Sequence, residues 1–270
     1  MKNLFSVQDK VIVITGAAGV LGTSMVHHFA EQGAKVVILD RNEEAGRRLE
    51  EAVNTEGGEV MFLYTDVLDK QVLEGNYTEI IARYGRIDVL INGAGGNMAG
   101  ATIAPDKTIF DLDIEAVRKV VDLNLFGIIL PTMTFTRAMI EQKQGSIINI
   151  SSESAIRPLT RVAGYGVAKA AVTNFTKYMC GELATKYGDG LRVNAIAPGF
   201  FITEQNRTLL LNPDGSYTER SKTILAHTPY GRFGEPSELL GTLQWLASDA
   251  SKFVSGTMTV IDGGFDAFSI

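Results

Sequence analysis

Seven short apolar runs alternate with longer segments of helical period, and this alternation constrains the fold more than any other feature of the chain. The runs cover residues 11–15, 35–39, 60–64, 89–92, 146–151, 192–197 and 258–261. They are rich in valine and isoleucine and nearly continuous in apolar character, as strands buried on both faces must be. Helical spacing over 21–32, 43–55, 70–84, 114–141, 166–187 and 237–246 supplies the layers that would cover them. Such a βαβα order predicts a Rossmann-like, doubly wound α/β fold. It has a seven-stranded parallel sheet, helices on both faces and right-handed crossovers. No repeat or proline-rich linker interrupts the pattern, so one domain is expected over 1–270. The long irregular stretch 199–235 carries the turn residues Asn212, Pro213, Asp214 and Gly215. Ligands in such sheets lie beyond the carboxyl ends of the strands, where this stretch emerges. A substrate lid around 200–235 is expected, the alternative being a disordered insertion.

The first run leads into Thr15-Gly16-Ala17-Ala18-Gly19-Val20-Leu21-Gly22, which opens the first helix. Glycines there let the backbone turn tightly and approach a pyrophosphate at the positive end of that helix. Asp40 ends the second run, 18 residues beyond Gly22, where a carboxylate can accept hydrogen bonds from a ribose diol. The same charge repels a 2′-phosphate, which favours NAD over NADP, although Arg41 could pair with such a phosphate. The bland reading of Asp40 and Arg41 is a solvated turn. Asp66 and Val67, after the third run, are placed to hold an adenine. Asn92, Gly93, Ala94 and Gly95, after the fourth, are small enough to line a cofactor cleft.

Tyr165 and Lys169 stand four apart on an expected helix and so share a face. A nearby ammonium favours phenolate, so the pair is expected to lower the tyrosine pKa and provide an acid/base. The spacing alone is common by chance. Ser152 follows the fifth run, where its hydroxyl could hold a substrate oxygen. Asn124 is a polar residue among Val120, Val121, Leu123, Leu125 and Phe126. Its amide must find partners, either neighbouring backbone or a water that relays protons to Lys169.

With these residues in view, the chain resembles the short-chain dehydrogenase/reductase family along almost its whole length. The resemblance is carried by TGAAGVLG at 15–22, NGAG at 92–95, DLNLFG around Asn124 and NISS ending at Ser152. YGVAK at 165–169, APG at 197–199 and VIDGG at 260–264 complete it. Ser152 precedes Tyr165 by thirteen residues, the family interval. The resemblance implies that Asn124, Ser152, Tyr165 and Lys169 are a catalytic tetrad, with Lys169 also holding the nicotinamide ribose. It implies that Pro198 and Gly199 contact the cofactor, and that homodimers or homotetramers assemble on the Asn124 and Tyr165 helices. One departure is that Val20 stands where the family has glycine, the neighbouring glycine being Gly19.

A narrower resemblance covers 91–97, 157–160, 194–207 and 224–236 and points to the D-mannonate oxidoreductase, or fructuronate reductase, branch of the family. It implies interconversion of D-fructuronate and D-mannonate with NAD(H), with gluconate or polyol dehydrogenases as the close alternative. A hexuronate needs a cation for its carboxylate and donors for its hydroxyls, and arginine offers a planar fork of hydrogen bonds. Arg157, Arg161 and Arg207 are candidates, with Arg157 or Arg207 preferred. Asn97, Thr203, Gln205, Asn206 and His227 are candidate donors. Each arginine singly also reads as a solvated surface charge. His27, His28 and His227 show no metal-ligand spacing, so no metal site is expected.

The net charge of −6 argues against a general nucleic-acid partner. Cys180 is the lone cysteine and the N-terminal stretch has no long apolar run, so a cytoplasmic enzyme without membrane attachment is expected. Two other classes remain open. One is a nucleotide-binding regulator that keeps the fold without catalysis. The other is an epimerase or dehydratase that uses the cofactor only transiently.

Overall fold

In the computed structural model, which describes residues 3–203 and 206–268, the seven apolar runs form one parallel sheet. Its strands are β1 (Val11–Thr15), β2 (Lys35–Asp40), β3 (Glu59–Tyr64), β4 (Val89–Asn92), β5 (Gly145–Ile150), β6 (Leu191–Pro198) and β7 (Met258–Ile261). Their spatial order is β3-β2-β1-β4-β5-β6-β7. Every strand end falls within one residue of its expected place. The helices are α1 (Val20–Glu31), α2 (Glu43–Thr55), α3 (Lys70–Tyr84), α4 (Ile114–Val121), α5 (Gly127–Gln142), α6 (Ala163–Tyr187), α7 (Arg207–Leu210), α8 (Glu219–His227) and α9 (Leu240–Ala247).

The near-continuous apolar strands are explained by two cores, one on each face. Ile12 and Ile14 of β1, with Val36 and Ile38 of β2, pack beneath Met25, Phe29, Leu49 and Leu243 of α1, α2 and α9. Val11 and Val13, with Val37 and Leu39, face Leu73, Phe135, Met139 and Leu183 of α3, α5 and α6. Successive residues thus enter opposite cores, so no position in these strands can be polar without finding a partner. Asn92 and Asn149 meet that demand through their N–H groups, Asn92 Oδ1 being buried without a hydrogen-bond partner. Asn92 Nδ2 donates to Thr132 Oγ1 at 2.9 Å and to Asn149 Oδ1 at 2.8 Å, and Asn149 Nδ2 donates to Thr176 Oγ1 at 2.9 Å. This buried chain ties β4 and β5 to α5 and α6.

The expected helix over 114–141 is not continuous. A π-helical turn, Asp122–Phe126, separates α4 from α5. Asn124 Nδ2 takes the Val120 carbonyl at 2.8 Å, and Pro131 has no N–H to offer the Gly127 carbonyl. Ile114–Gln142 is long and apolar enough to cross a membrane by length and composition. Phe135, Ala138 and Met139 account for that character, because they are buried against the sheet. Two further differences are local. The helix expected from residue 166 begins at Ala163, and the one expected over 237–246 opens with a 3-10 turn, Pro236–Leu239. The stretch read as irregular from 199 to 235 contains α7 and α8.

Two glycines separate packing from propensity. A Cβ on Gly22 of α1 would lie 2.5 Å from the Gly16 carbonyl oxygen and 2.6 Å from Ala17 Cα, both backbone atoms that cannot swing aside. A Cβ on Gly75 of α3 would meet nothing within 4 Å. Urea denaturation should find Gly22→Ala destabilised by about 1–3 kcal/mol and Gly75→Ala stabilised by about 0.5–1 kcal/mol. A Gly22→Ala protein as stable as the parent would refute the close contact.

Candidate active site

β1 is flanked by β2 on one side and β4 on the other, and the connections from these strands run to opposite faces. A crevice opens at such a switch point beyond the carboxyl ends. Two loops line it, and one buried hydroxyl joins them: Thr15 Oγ1 accepts from the N–H groups of Gly93 and Ala94, each at 3.1 Å. Gly16 adopts φ 68°, and a Cβ there would sit 2.8 Å from Ala94 Cα, so this position needs glycine for conformation and for space. Gly19 is the N-cap of α1, with Val20 as its first helical residue, so the displaced glycine still makes the turn into the helix. Leu21 packs on the core behind the loop.

The N-terminus of α1 has no side-chain cap and no acidic residue in its first turn. By contrast, α2, α3 and α4 begin at Asn42, Asp69 and Asp113, whose side chains accept first-turn N–H bonds. Uncapped N–H groups at the positive end of α1, beside a backbone cradle that a Cβ would fill, suit a dinucleotide pyrophosphate. Asp40 holds this loop from the side: Oδ2 accepts from Ala18 N at 3.0 Å and Oδ1 from Asn42 N at 2.9 Å. It is therefore more than a solvated turn residue. Arg41 is exposed beside it. Asp66 is exposed and accepts from Leu68 N at 2.9 Å, whereas Val67 is buried against Gly127. The Asn92 side chain is committed to the interior, which leaves its loop to face the crevice through Gly93, Ala94 and Gly95. Gly199 follows Pro198 and donates its N–H to the Ile261 carbonyl at 2.9 Å.

Gly95 leads from the cofactor loops to the chemical residues. A Cβ there would be 2.7 Å from Asn124 Oδ1 and 3.3 Å from Lys169 Nζ. The Asn124 amide is saturated by backbone: Nδ2 donates to the carbonyls of Gly96 (2.6 Å) and Val120 (2.8 Å), and Oδ1 accepts from Gly96 N at 3.0 Å. Lys169 is buried, donates to the Ile150 carbonyl at 2.8 Å, and lies 5.6 Å from the centre of the Tyr165 ring. Ser152 hydrogen-bonds to Tyr165 and its Oγ also accepts from Ser154 N at 3.2 Å. The four expected residues therefore meet in one place.

Their acidities differ from the simple expectation that Lys169 lowers the phenol. Burial pushes Tyr165 above its ordinary value, and the Ser152 hydrogen bond only partly offsets it. Burial also depresses Lys169, to about 8. Desolvation outweighs the Ser152 hydrogen bond, so the phenol is held protonated.

The candidate substrate residues divide. Asn97 Nδ2 donates to Thr102 Oγ1 at 2.8 Å, while its Oδ1 is buried without a partner. Asn206 is used in its own loop, accepting from Thr203 N at 2.7 Å and donating to the Phe201 carbonyl at 2.7 Å. Arg207 is exposed at the start of α7. Arg157, read as a carboxylate clamp, is already paired: its Nε donates to Asp266 Oδ1 at 2.8 Å and its Nη2 to the Asp266 carbonyl. Gln205 lies outside the described residues. His227 lines a cavity of about 750 Å³ together with Arg161, Arg220 and Phe200.

Glu153 escaped the sequence reading. It directly follows Ser152 and is 1% exposed, and neither carboxyl oxygen has a hydrogen-bond partner. Burial, then Asp266 and Asp262, push its pKa up to about 7, against a smaller pull from Arg157. A glutamate inside an otherwise small, polar turn was the available signal.

Comparison with known proteins matches residues 10–213 to the short chain dehydrogenase family. An uncharacterised oxidoreductase of Bacillus subtilis, UxuB, is 42% identical over 269 residues, 96% of either chain. A structure of a candidate D-mannonate oxidoreductase from Haemophilus influenza, solved with bound NAD, superposes with a TM-score of 0.91. It is 39% identical and covers 99% of both chains. A gluconate 5-dehydrogenase from Burkholderia cenocepacia, solved with NADP and tartrate, has a TM-score of 0.88 and 33% identity over 98% of each chain.

Glu153 makes stability depend on pH in a definite direction. A carboxyl whose pKa is raised by folding stabilises the fold fully below its unfolded value near 4.5, and that contribution is lost as pH rises through about 7. Glu153→Gln should remove this decline, worth on the order of 2–3 kcal/mol. Melting temperatures from pH 4.5 to 8 should then show the variant gaining on the parent as pH rises. A difference constant with pH would contradict the assignment.

Proposed function

The chain belongs to the short-chain dehydrogenase family, and from that premise we propose that it is an NAD(H)-dependent oxidoreductase interconverting D-fructuronate and D-mannonate. The observation that carries the substrate is the full-length likeness to the NAD-bound Haemophilus structure, whose name specifies D-mannonate.

In this reading Gly16, Gly19, Val20, Leu21 and Gly22 hold the pyrophosphate, Asp40 the adenosine ribose, and Asp66 and Val67 the adenine. Gly93, Ala94, Gly95, Pro198 and Gly199 border the nicotinamide. Asp40 favours NAD over NADP by repelling a 2′-phosphate, with Arg41 as the opposing influence. When bound, the cofactor supplies or accepts the hydride at the carbonyl carbon. Tyr165, held protonated by burial, donates its phenolic proton to the oxygen that becomes the new hydroxyl. In oxidation its phenolate takes that proton back. Ser152 steadies the phenolate and the substrate oxygen, and the Lys169 ammonium over the Tyr165 ring favours the phenolate. Asn97 and Ser152 are substrate contacts of this reading; of the two arginines preferred from sequence, Arg157 is already bound to Asp266 and Arg207 is exposed at the start of α7. The segment 200–235, with α7 and α8, serves as the lid. The lone Cys180 fits a reducing, cytoplasmic setting.

The test follows NADH absorbance with fructuronate, tagaturonate, 5-ketogluconate and fructose, each with NADH and with NADPH. Fructuronate with NADH should give the highest kcat/KM, and preference for 5-ketogluconate would transfer the chain to gluconate 5-dehydrogenase chemistry. Tyr165→Phe should lower kcat by about 10²- to 10⁴-fold with NADH binding kept within a few-fold. Normal turnover in that variant would remove the tyrosine from the mechanism.

Assembly supplies a second prediction. Ile114, Phe126, Met133, Val167 and Tyr178, on α4 to α6, are 60, 45, 64, 66 and 62% exposed, an apolar surface that suits a subunit interface. Light scattering should give a dimer or tetramer of the 29.2 kDa chain, and Met133→Asp with Tyr178→Asp should shift it toward monomer. A monomeric parent protein would overturn the interface.

A further inference from the structure

The cavity of about 750 Å³ holds none of the four tetrad side chains, yet it lies beside them in the chain. One wall is residues 158–161, which lead into α6 and Tyr165. Another includes Phe200, next to Gly199, and a third is α8. Its volume suits a six-carbon acid.

The charges facing this space are unbalanced. Arg161, Arg220 and Lys107 face one acid there, Glu219, whose Oε1 is taken by Lys222 at 2.6 Å. Several other arginines are closed by carboxylates, as Arg157 is by Asp266, Arg137 by Glu74 and Arg232 by Glu238. Among the described residues neither Arg161 nor Arg220 has an ion-pair partner. Arg220 donates only to Thr160, at 3.2 Å to Oγ1 and 3.4 Å to the carbonyl, long bonds that leave most of its fork unused. It also stands in the first turn of α8, where the helix dipole disfavours a cation. Burial, and after it the charge of nearby Arg161, lowers the Arg220 pKa. The Arg161 backbone is held at φ 75°, unusual for a residue with a side chain, and its carbonyl accepts from Ile103 N at 3.0 Å. Two guanidinium groups lining one cavity, half-buried and without a counter-charge, leave a place for an anion. Planar, bidentate hydrogen bonding makes a carboxylate the matching group.

We propose that Arg161 and Arg220, rather than Arg157 or Arg207, form the clamp for the carboxylate of the sugar-acid substrate. The clamp rests on the sugar-acid reading above, and it makes α8 the part of the lid that contacts substrate. Arg157 is then a bolt between the Ser152 turn and the C-terminal segment at Asp266.

The experiment measures KM, kcat and calorimetric binding of D-mannonate for Arg161→Gln, Arg220→Gln and the double variant. D-Mannitol, the uncharged hexitol of the same chain, is the control ligand. Melting temperature and NADH affinity identify any variant that has misfolded, and Arg161→Lys and Arg220→Lys then substitute for it. Each glutamine change should weaken mannonate binding and raise KM by about ten- to a hundredfold, with a smaller fall in kcat and no change toward mannitol. Lysine should restore part of the loss. Mannonate binding within about twofold of the parent in the double variant overturns the clamp, as does an equal loss toward mannitol. If the parent turns over no hexuronate or hexonate, the functional reading fails, and calorimetry alone decides the clamp. Parent binding of mannonate that the double variant loses supports it, and no parent binding overturns it.

Discussion

The hydroxyl of Thr15 is the small interaction on which the site depends. It sits fully buried at the end of β1 and accepts two backbone N–H bonds from the loop after β4. Those two strands are hydrogen-bonded neighbours whose connections leave toward opposite faces, so their loops would otherwise diverge. Holding them together forces Gly16 against Ala94, where only glycine has both the conformation and the room. Asp40 then fixes the far side of the same loop through Ala18. The loop thus meets α1 at an uncapped N-terminus because its geometry is set by neighbours on both sides.

The restraint continues into the chemical residues. Gly95 lets Asn124 and Lys169 come close, and Asn124 spends its whole amide on the backbone of Gly96 and Val120. Both of its N–H hydrogens are used, which leaves only the second lone pair of Oδ1 for a water. Asn124 is a brace. It opens the π-helical turn and pins the loop that crosses in front of Lys169. Of the two kinds of partner offered for its amide by sequence, backbone takes both N–H groups.

What was legible in the sequence was local. Strands β1 to β7 announce themselves because burial on two faces demands continuous valine and isoleucine, and the glycine loops because their spacing follows a strand and opens a helix. What was hidden depends on partners far along the chain. Arg157 looked available because Asp266, 109 residues away, is visible as its partner only after folding. Arg220 lies 60 residues from Thr160 and took no part in the sequence argument. Pro131 was a visible sign of the break after Asn124, but the bond from Asn124 to the Gly96 carbonyl, 28 positions earlier, was not. Tyr165 was expected to be lowered by Lys169 because spacing reports a neighbour but not the water that burial removes.

That removal of water explains three shifts at once. Tyr165 is raised, Lys169 is lowered and Glu153 is raised, each toward its neutral form, with burial the first cause in every case. A surrounding that resists charge also resists an alkoxide, the species that a hydride would leave if it moved alone. A protonated phenol beside the reacting oxygen avoids that species, so the same burial that hinders phenolate links proton transfer to hydride transfer. Glu153 extends the logic to the substrate. An ionised carboxylate directly after Ser152 would repel a sugar acid, whereas a carboxyl neutral up to about pH 7 does not. The acidic side chains of the C-terminal turn, Asp262 and Asp266, are what keep Glu153 raised beyond the effect of burial. Asp266 also holds Arg157. One turn therefore sets both the charge beside Ser152 and the engagement of Arg157, whereas Arg161 and Arg220, which line the cavity, carry no carboxylate partner among the described residues.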